Sequence, residues 1–318
     1  MPTRFMLMRR MTIPPKVQTL LQHASGDAPP IAVFDCDGTI IRGDIGEAML
    51  YYQLEHFLLR INPANVWLDY PHREELNTLY MELAALPEQR RLQDRRYASF
   101  AQMIVEWYFD QLREEKTQKA CSDIVRLLAK FSEQEVAEIA AATWQDELSS
   151  PLTVRTIGKF TLPKGIRYIA ESVHLLQQLR AAGFEIWAVS GSNVWTVRQV
   201  FEPLGIPRER ILGIDLHSSS NVLSPKVRTP VPVLEGKVEA LQQAGARDPA
   251  IVVSDSIYDV PLFEYAQHLK VLITSRMETS YTFFKESGLA QDETWVVVEH
   301  PTDLPPGAVL PQPVNAHG

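Results

Sequence analysis

Two carboxylates, Asp35 and Asp37, close an apolar run over residues 31–34 and are followed at once by Gly38 and Thr39. A run of strand character that stops at Asp-Cys-Asp-Gly-Thr delivers acidic groups to its carboxyl end, where open α/β sheets bind their ligands. Like charges that close repel unless a cation lies between them or one takes a proton. Mg²⁺, a hard cation that prefers oxygen, suits such a pair. An Asp-Gly pair alone reads as a turn, but further chemistry-bearing residues follow in order. A second apolar run, 184–189, ends in Ser190-Gly191-Ser192-Asn193. Glu235-Gly236-Lys237 then opens an amphipathic segment over 237–244 behind a Pro-rich loop. A third run, 250–253, ends in Ser254-Asp255, with Asp259 close behind. Each candidate stands at a strand end or a helix start, where a doubly wound fold gathers its site.

These residue types suit phosphoryl transfer. A carboxylate can attack phosphorus and divide one hard displacement into two easier ones. The reaction asks a protein mainly for positioning and charge neutralisation, which Mg²⁺, Lys237 and the backbone N–H groups after Asp35 can supply. A neighbouring carboxylate raises the pKa of Asp37 and fits it to hold a proton near neutral pH.

The four motifs together resemble the haloacid-dehalogenase superfamily of phosphohydrolases, over residues from about 31 to about 274. The resemblance implies a Rossmann-like, doubly wound parallel-sheet α/β core and an Mg²⁺-dependent phosphomonoesterase acting on a small phosphorylated metabolite. It implies that Asp35 is the nucleophile forming an aspartyl-phosphate and that Asp37 is the general acid/base. Ser190, with Gly191 beside it, would hold a phosphoryl oxygen, and Lys237 would steady nucleophile and phosphoryl group. Asp255 would be the main Mg²⁺ carboxylate and Asp259 its support, with Asp35 and Asp37 completing the metal set. Ser254 departs from the pattern, since the family often has Gly there. The acid at position 37 argues against a dehalogenase, whose halide leaving group needs no proton, and favours hydrolysis over a stable phosphoenzyme.

The elements between these motifs divide the chain. Residues 1–30 read as an N-terminal extension, with a short helix over 15–24, a linker over 26–30 and Met11 as an alternative start. Residues 31–43 and 162–318 form the core, and 44–161 an inserted cap. Within 44–161 strand signals vanish, and apolar residues recur at three and four over 45–59, 73–86, 96–113, 116–131 and 132–148. Ser132-Glu133-Gln134-Glu135 has capping-box spacing. An all-helical cap after the first strand is the arrangement of the superfamily's phosphoserine-phosphatase-like branch. Residues 211–216 and 221–228 read as a strand pair joined by residues 217–220, which fits the same branch.

Specificity falls to the cap, which must shield the aspartyl-phosphate and recognise the leaving group. Asp44 and Glu47 follow the nucleophile loop closely. Phosphoserine phosphatases place an acid near the Asp44 position against the substrate's amine; alternatively, Asp44 is a helix N-cap and Glu47 its first-turn partner. Tyr51, Tyr52, Trp67, Tyr70, Trp107 and Tyr108 either pack the bundle or offer faces to a quaternary ammonium group. Asn193-Val194-Trp195 resembles the corresponding run of phosphorylcholine phosphatases; among substrates, phosphocholine, phosphoethanolamine and phosphoserine lead over a sugar phosphate. Arg90, Arg91, Arg95 and Arg96 read as a solvated helix face or as a clamp for a substrate carboxylate. A non-catalytic phospho-ligand-binding relative and a phosphomutase are the competing readings; a binding module needs neither nucleophile nor acid.

Other signals exclude. Gly236-Lys237 lacks the P-loop glycine five residues upstream, where Val231 stands. Ser190 is no nucleophile elbow, because Ala188 and Ser192 fill the glycine positions. The eight histidines show no zinc-binding spacing. With 39 acidic against 31 basic residues, a formal charge of −8 and no basic stripe, nucleic acid is not an expected partner. No apolar run approaches a membrane span. Cys36 and Cys121 are far apart, which fits reduced thiols and a cytoplasmic location. The sequence carries no signal of oligomeric state.

Overall fold

The computed structural model describes residues 15–22, 29–61, 70–256, 259–274 and 279–300. Met11, residues 23–28 and Trp67 lie outside them. Helix α1 (Pro15–Gln22) precedes β1 (Ile31–Phe34), the run that carries the first motif, and β2 (Ile41–Arg42) leaves the nucleophile loop. The cap follows with α2 (Ile45–Glu55), α3 (Arg73–Ala84), the four-residue α4 (Glu88–Arg91), α5 (Arg95–Arg113), α6 (Thr117–Arg126) and α7 (Glu133–Ser149). A hairpin of β3 (Thr153–Ile157) and β4 (Phe160–Lys164) comes next, and β5 (Arg167–Tyr168) leads back to the core. The core continues through α8 (Ala170–Ala181), β6 (Glu185–Asn193), α9 (Val194–Phe201), β7 (Ile211–Ile214), β8 (Leu216–Ser219) and β9 (Val222–Val227). It ends with α10 (Glu235–Ala244), β10 (Ile251–Ser254), α11 (Val260–Tyr265), β11 (Leu269–Thr274), α12 (Thr279–Glu286) and β12 (Trp295–Glu299).

Six strands form one parallel sheet in the order β12-β11-β10-β1-β6-β7. Both faces are covered, as a parallel sheet requires. Ala32 and Phe34 turn toward α8 and α9, while Val33 turns toward α10 and α11. The register is what builds a site: Phe34 lies beside Val253 of β10 and Ala188 of β6. The residues just past these three strands therefore meet at one edge of the sheet. Among the described residues, no helix is long and apolar enough to cross a membrane.

The cap helices pack around an apolar cluster that includes Leu54, Leu76, Phe100, Ile104 and Val136 and continues into the core through Val194, Trp195, Ile214 and Leu216. Ser132 completes the expected capping box: the Glu135 N–H donates to its Oγ at 3.2 Å, and its own N–H donates to Glu135 Oε2 at 2.8 Å. The two crossings to the core pair with each other, β2 against β5, Ile41 opposite Tyr168.

Several elements differ from the sequence expectation. The cap is not all-helical, because β3 and β4 pair antiparallel within it, and the expected boundary at 161 falls inside β4. The inward positions of β3 are Arg155 and Ile157, so a charged residue occupies a buried slot and hides the alternation. Two helices stop short of the expected 59 and 131, at Glu55 and Arg126. The strand pair expected over 211–228 splits at Asp215: β7 joins the main sheet, and β8 pairs with β9. Ser220 and Asn221, both at positive φ, make the hairpin turn.

Arg155 ties the cap together. Its guanidinium pairs with Glu147 of α7, and with Glu55 of α2 at 2.9 Å, while standing 5.5 Å from the centre of the Tyr51 ring. Glu147 also accepts the Gly165 N–H at 2.7 Å, which fixes the returning linker. Removing one partner of a buried ion pair strands the other's charge, so Arg155→Ala should cost about 3–5 kcal/mol in urea unfolding.

Candidate active site

The end of β1, the last residues of β6, the start of α10, the end of β10 and the start of α11 bring Asp35, Asp37, Ser190, Lys237, Asp255 and Asp259 together at the carboxyl ends of the strands. Asp35 is buried, and its Oδ1 accepts from Lys237 Nζ at 3.0 Å. The same ammonium donates to Asp259 Oδ2 at 2.7 Å. The Ser254 hydroxyl donates to that Oδ2 as well, at 2.7 Å, so the side chain that departs from the family pattern serves to hold Asp259.

Thr39 links the first and last motifs. The Asp255 N–H donates to its Oγ1 at 2.9 Å, and the hydroxyl lies 3.2 Å from Asp255 Oδ1 and 3.5 Å from Asp35 Oδ2. Gly38 permits this approach. It sits at φ +72°, and a Cβ there would fall 2.1 Å from Asp255 Oδ2.

Asp37 has a different set of partners. Its Oδ1 accepts the Ile45 N–H at 2.7 Å, from the first turn of α2. Its Oδ2 accepts the hydroxyls of Ser192 at 2.7 Å and Ser190 at 3.0 Å. Ser192 was not among the residues the sequence singled out. The signal was present, since residues two apart on a strand share a face, and β6 extends through Asn193 where the sequence suggested an end at 189. Gly191 lies between the two serines, close to Val233 and Cys121.

Asp44 is the N-cap of α2, its Oδ1 accepting the Glu47 N–H at 2.7 Å. Glu47 receives two tyrosine hydroxyls, Tyr51 at 2.9 Å and Tyr108 at 3.2 Å. Tyr51, Tyr70, Trp107 and Tyr108 are buried in the cap core, so their rings are packed. Arg91 closes the end of α3 on Ala84 and Leu86 carbonyls, and Arg96 pairs with Asp94 and Glu82. Both cysteines are free.

Burial dominates the electrostatics of this edge. It pushes the Asp35 carboxyl up to about 7, with Lys237 pulling it down and Asp259 and Asp37 pushing it up. It likewise pushes Asp37 up to about 7, reinforced by Asp44 and opposed by the Ile45, Ser192 and Ser190 donors. Asp255 is raised by burial and by Asp35. Glu47 is raised by burial against its two tyrosine donors. Burial works against the Lys237 charge, but Asp259 and Asp35 outweigh it and move that group upward.

The donors fit a hard divalent cation. Asp35 and Asp255 lie on either side of one hydroxyl, and Asp35 adds to burial in raising the proton affinity of Asp255, which marks a deficit of positive charge there. Lys237 is already shared between Asp35 and Asp259. Among the described residues no three acids, histidines or cysteines form a ready-made metal cage. Mg²⁺ suits such an arrangement, since it takes one or two carboxylates and completes its shell with water and substrate phosphate.

Asp44 gives a pH signature. Burial and then Glu47 hold its carboxyl at about 7, so the folded chain keeps a proton that the unfolded chain releases near the ordinary carboxylate value. The stability contributed is full below about pH 4 and lost as pH rises through about 7. Asparagine retains the cap without the charge. Asp44→Asn should therefore exceed the parent in stability by roughly 1–3 kcal/mol at about pH 8, with the gap closing at about pH 4; urea titrations at the two pH values check this.

The comparisons with known proteins bear on the fold and the family. No curated protein matches the sequence significantly. A protein of unknown function from Anaerococcus prevotii DSM 20548 superimposes with a TM-score of 0.68 at 16% identity, over 90% of this chain and 93% of that one. A protein of unknown function from Bordetella pertussis Tohama I does so with a TM-score of 0.50 at 16% identity, over 85% and 97%. At such identity these likenesses speak to the fold. The haloacid dehalogenase-like hydrolase family matches residues 30–267, most of the chain, with the first and last motifs both inside the match, and to that family of hydrolases the chain belongs.

Proposed function

We propose that the protein is an Mg²⁺-dependent phosphomonoesterase that works through an aspartyl-phosphate on Asp35. The observation that carries this reading is the division between the two motif carboxylates. Asp35 is paired with the Lys237 ammonium at 3.0 Å, which favours the ionised nucleophile. Burial pushes both carboxyls up to about 7, but Asp37 is bonded by neutral donors, the Ile45 N–H and the Ser190 and Ser192 hydroxyls, which leaves it the better suited of the two to carry a proton. Asp35 attacks phosphorus as the bond to the leaving oxygen breaks, and Asp37 gives that oxygen its proton. Asp37 then takes a proton from the water that attacks phosphorus and frees Asp35.

Asp35 and Asp255 would hold Mg²⁺, which supplies charge neutralisation at the phosphoryl oxygens. Asp259, bound to Lys237 and Ser254, supports the ammonium. The side chain of Asp37, with donors on both oxygens, is assigned to proton transfer in place of the metal role expected of it. The Ser190 hydroxyl and the Gly191 backbone are assigned to the phosphoryl oxygens once substrate is present.

For the leaving group we favour an amine-bearing alcohol: phosphoethanolamine, phosphoserine or phosphocholine. Asp44 and Glu47 stand beside Asp37 as partly accessible acids, with no basic side chain among the described residues bonded to either. A phosphate ester brings further negative charge, and a cation on the leaving group offsets it. Because the nearby rings are packed, the contact falls to carboxylates, which favours an ammonium that can donate hydrogen bonds over a quaternary one.

Turnover of these three esters and of p-nitrophenyl phosphate, with Mg²⁺ and with chelator, tests the reading. Asp35→Asn should abolish turnover while retaining substrate binding. Turnover by that variant at the parental rate would refute the nucleophile assignment. In the absence of substrate, Mg²⁺ should raise the melting temperature more at about pH 8 than at about pH 5, because the carboxylates must be ionised to bind it.

A further inference from the structure

We infer that Ser192 is a positioning residue for the proton transfer by Asp37, held in place by the first turn of the cap's leading helix. This rests on the phosphomonoesterase reading above, and it concerns a side chain to which neither motif nor family match gives a role.

The hydrogen bonds around Ser192 have a fixed direction. The Gly46 N–H of α2 can only donate, and it does so to Ser192 Oγ at 3.1 Å. A lone pair of the hydroxyl is thereby engaged, and its proton points to Asp37 Oδ2 at 2.7 Å. Ser190 is wired in the same sense, accepting the Ser192 N–H at 2.9 Å and donating to Oδ2 at the longer distance of 3.0 Å. If Ser190 turns to the phosphoryl group on substrate binding, Ser192 is the donor that stays.

The packing is shaped around this hydroxyl. A Cβ at Gly46 would fall 2.5 Å from Ser192 Oγ and 3.1 Å from its Cβ, so the helix can come this close only without a side chain at that position. Ser192 is itself buried, at 5% exposure, and has no room to seek water. With the Ile45 N–H on the opposite oxygen at 2.7 Å, the Asp37 carboxyl is gripped by the cap helix on one side and by a core strand on the other. Proton transfer to a leaving oxygen demands such a fixed direction.

The leaving group supplies a test that a merely structural role would not move. An alkoxide must be protonated as it departs, whereas p-nitrophenolate departs without help. Hydrolysis of the phosphoenzyme uses Asp37 for both esters, so the test is read on the first step. In single-turnover measurements Ser192→Ala should slow release of ethanolamine from phosphoethanolamine by about tenfold or more, and of p-nitrophenolate from its ester by less than about threefold, with KM little changed. Gly46→Ala, which leaves Ser192 in place but crowds its hydroxyl, should give the same selective loss and serves if Ser192→Ala does not fold. Equal losses on both esters, or a change confined to KM, would overturn the inference while leaving the phosphatase reading intact. Retained turnover in Asp35→Asn, or no turnover by the parent on either ester, would overturn both.

Discussion

The ammonium of Lys237, buried between Asp35 at 3.0 Å and Asp259 at 2.7 Å, is the contact on which the rest of the site depends. A parallel sheet whose neighbouring strands end in acids concentrates negative charge at one edge, and burial makes each charge expensive. One cation reaching in from the start of α10 offsets the charge of two of those acids where water is largely excluded. Burial still makes Asp35 hold a proton more tightly, as it does Asp37, Asp44 and Asp255. The remaining deficit of positive charge is what a divalent cation and a cationic leaving group would fill, so the proposed metal and the proposed substrate class rest on the same imbalance.

Core and cap meet at Asp37. Its partners come from the cap helix α2 through the Ile45 N–H and from the core strand β6 through Ser190 and Ser192. Paired linkers, β2 against β5, lead into the start of α2, and the ion group of Arg155, Glu147 and Glu55 holds its end. A displacement of the cap would therefore be felt first by the acid/base and not by the nucleophile, whose partners all belong to the core. Such a division suits an enzyme in which the cap both shields the reaction and governs proton transfer to the leaving group.

Two of the cap's tyrosines act through their hydroxyls as well as their packed rings. Tyr51 and Tyr108 place both donors on Glu47, and Arg155 stands over the ring of Tyr51. A carboxylate so fixed offers a directional acceptor at low entropic cost, unlike a flexible acid on a loop. Asp44, the N-cap of α2, also lies near enough to Asp37 to raise its carboxyl, so the cap role and the proposed substrate contact are compatible.

What the sequence by itself determined was the placement of chemistry on elements. Apolar runs ending in Asp35, Ser190 and Asp255 mark strand ends, and parallel order collects strand ends at one edge, so the motif residues were legible without coordinates. Ser132 and Glu135 likewise announced their capping box, because both partners lie within one turn. The tertiary structure alone decided the partners of buried polar groups. The alternation of β3 could not show that Arg155 points inward, since that is tolerable only with Glu147 and Glu55 brought from other elements. Ser192 gained its place from Gly46, and Glu47 from Tyr108, each far away in the chain. Local pattern fixes which way a side chain faces, through the period of the helix or strand; what it meets there depends on how distant segments pack.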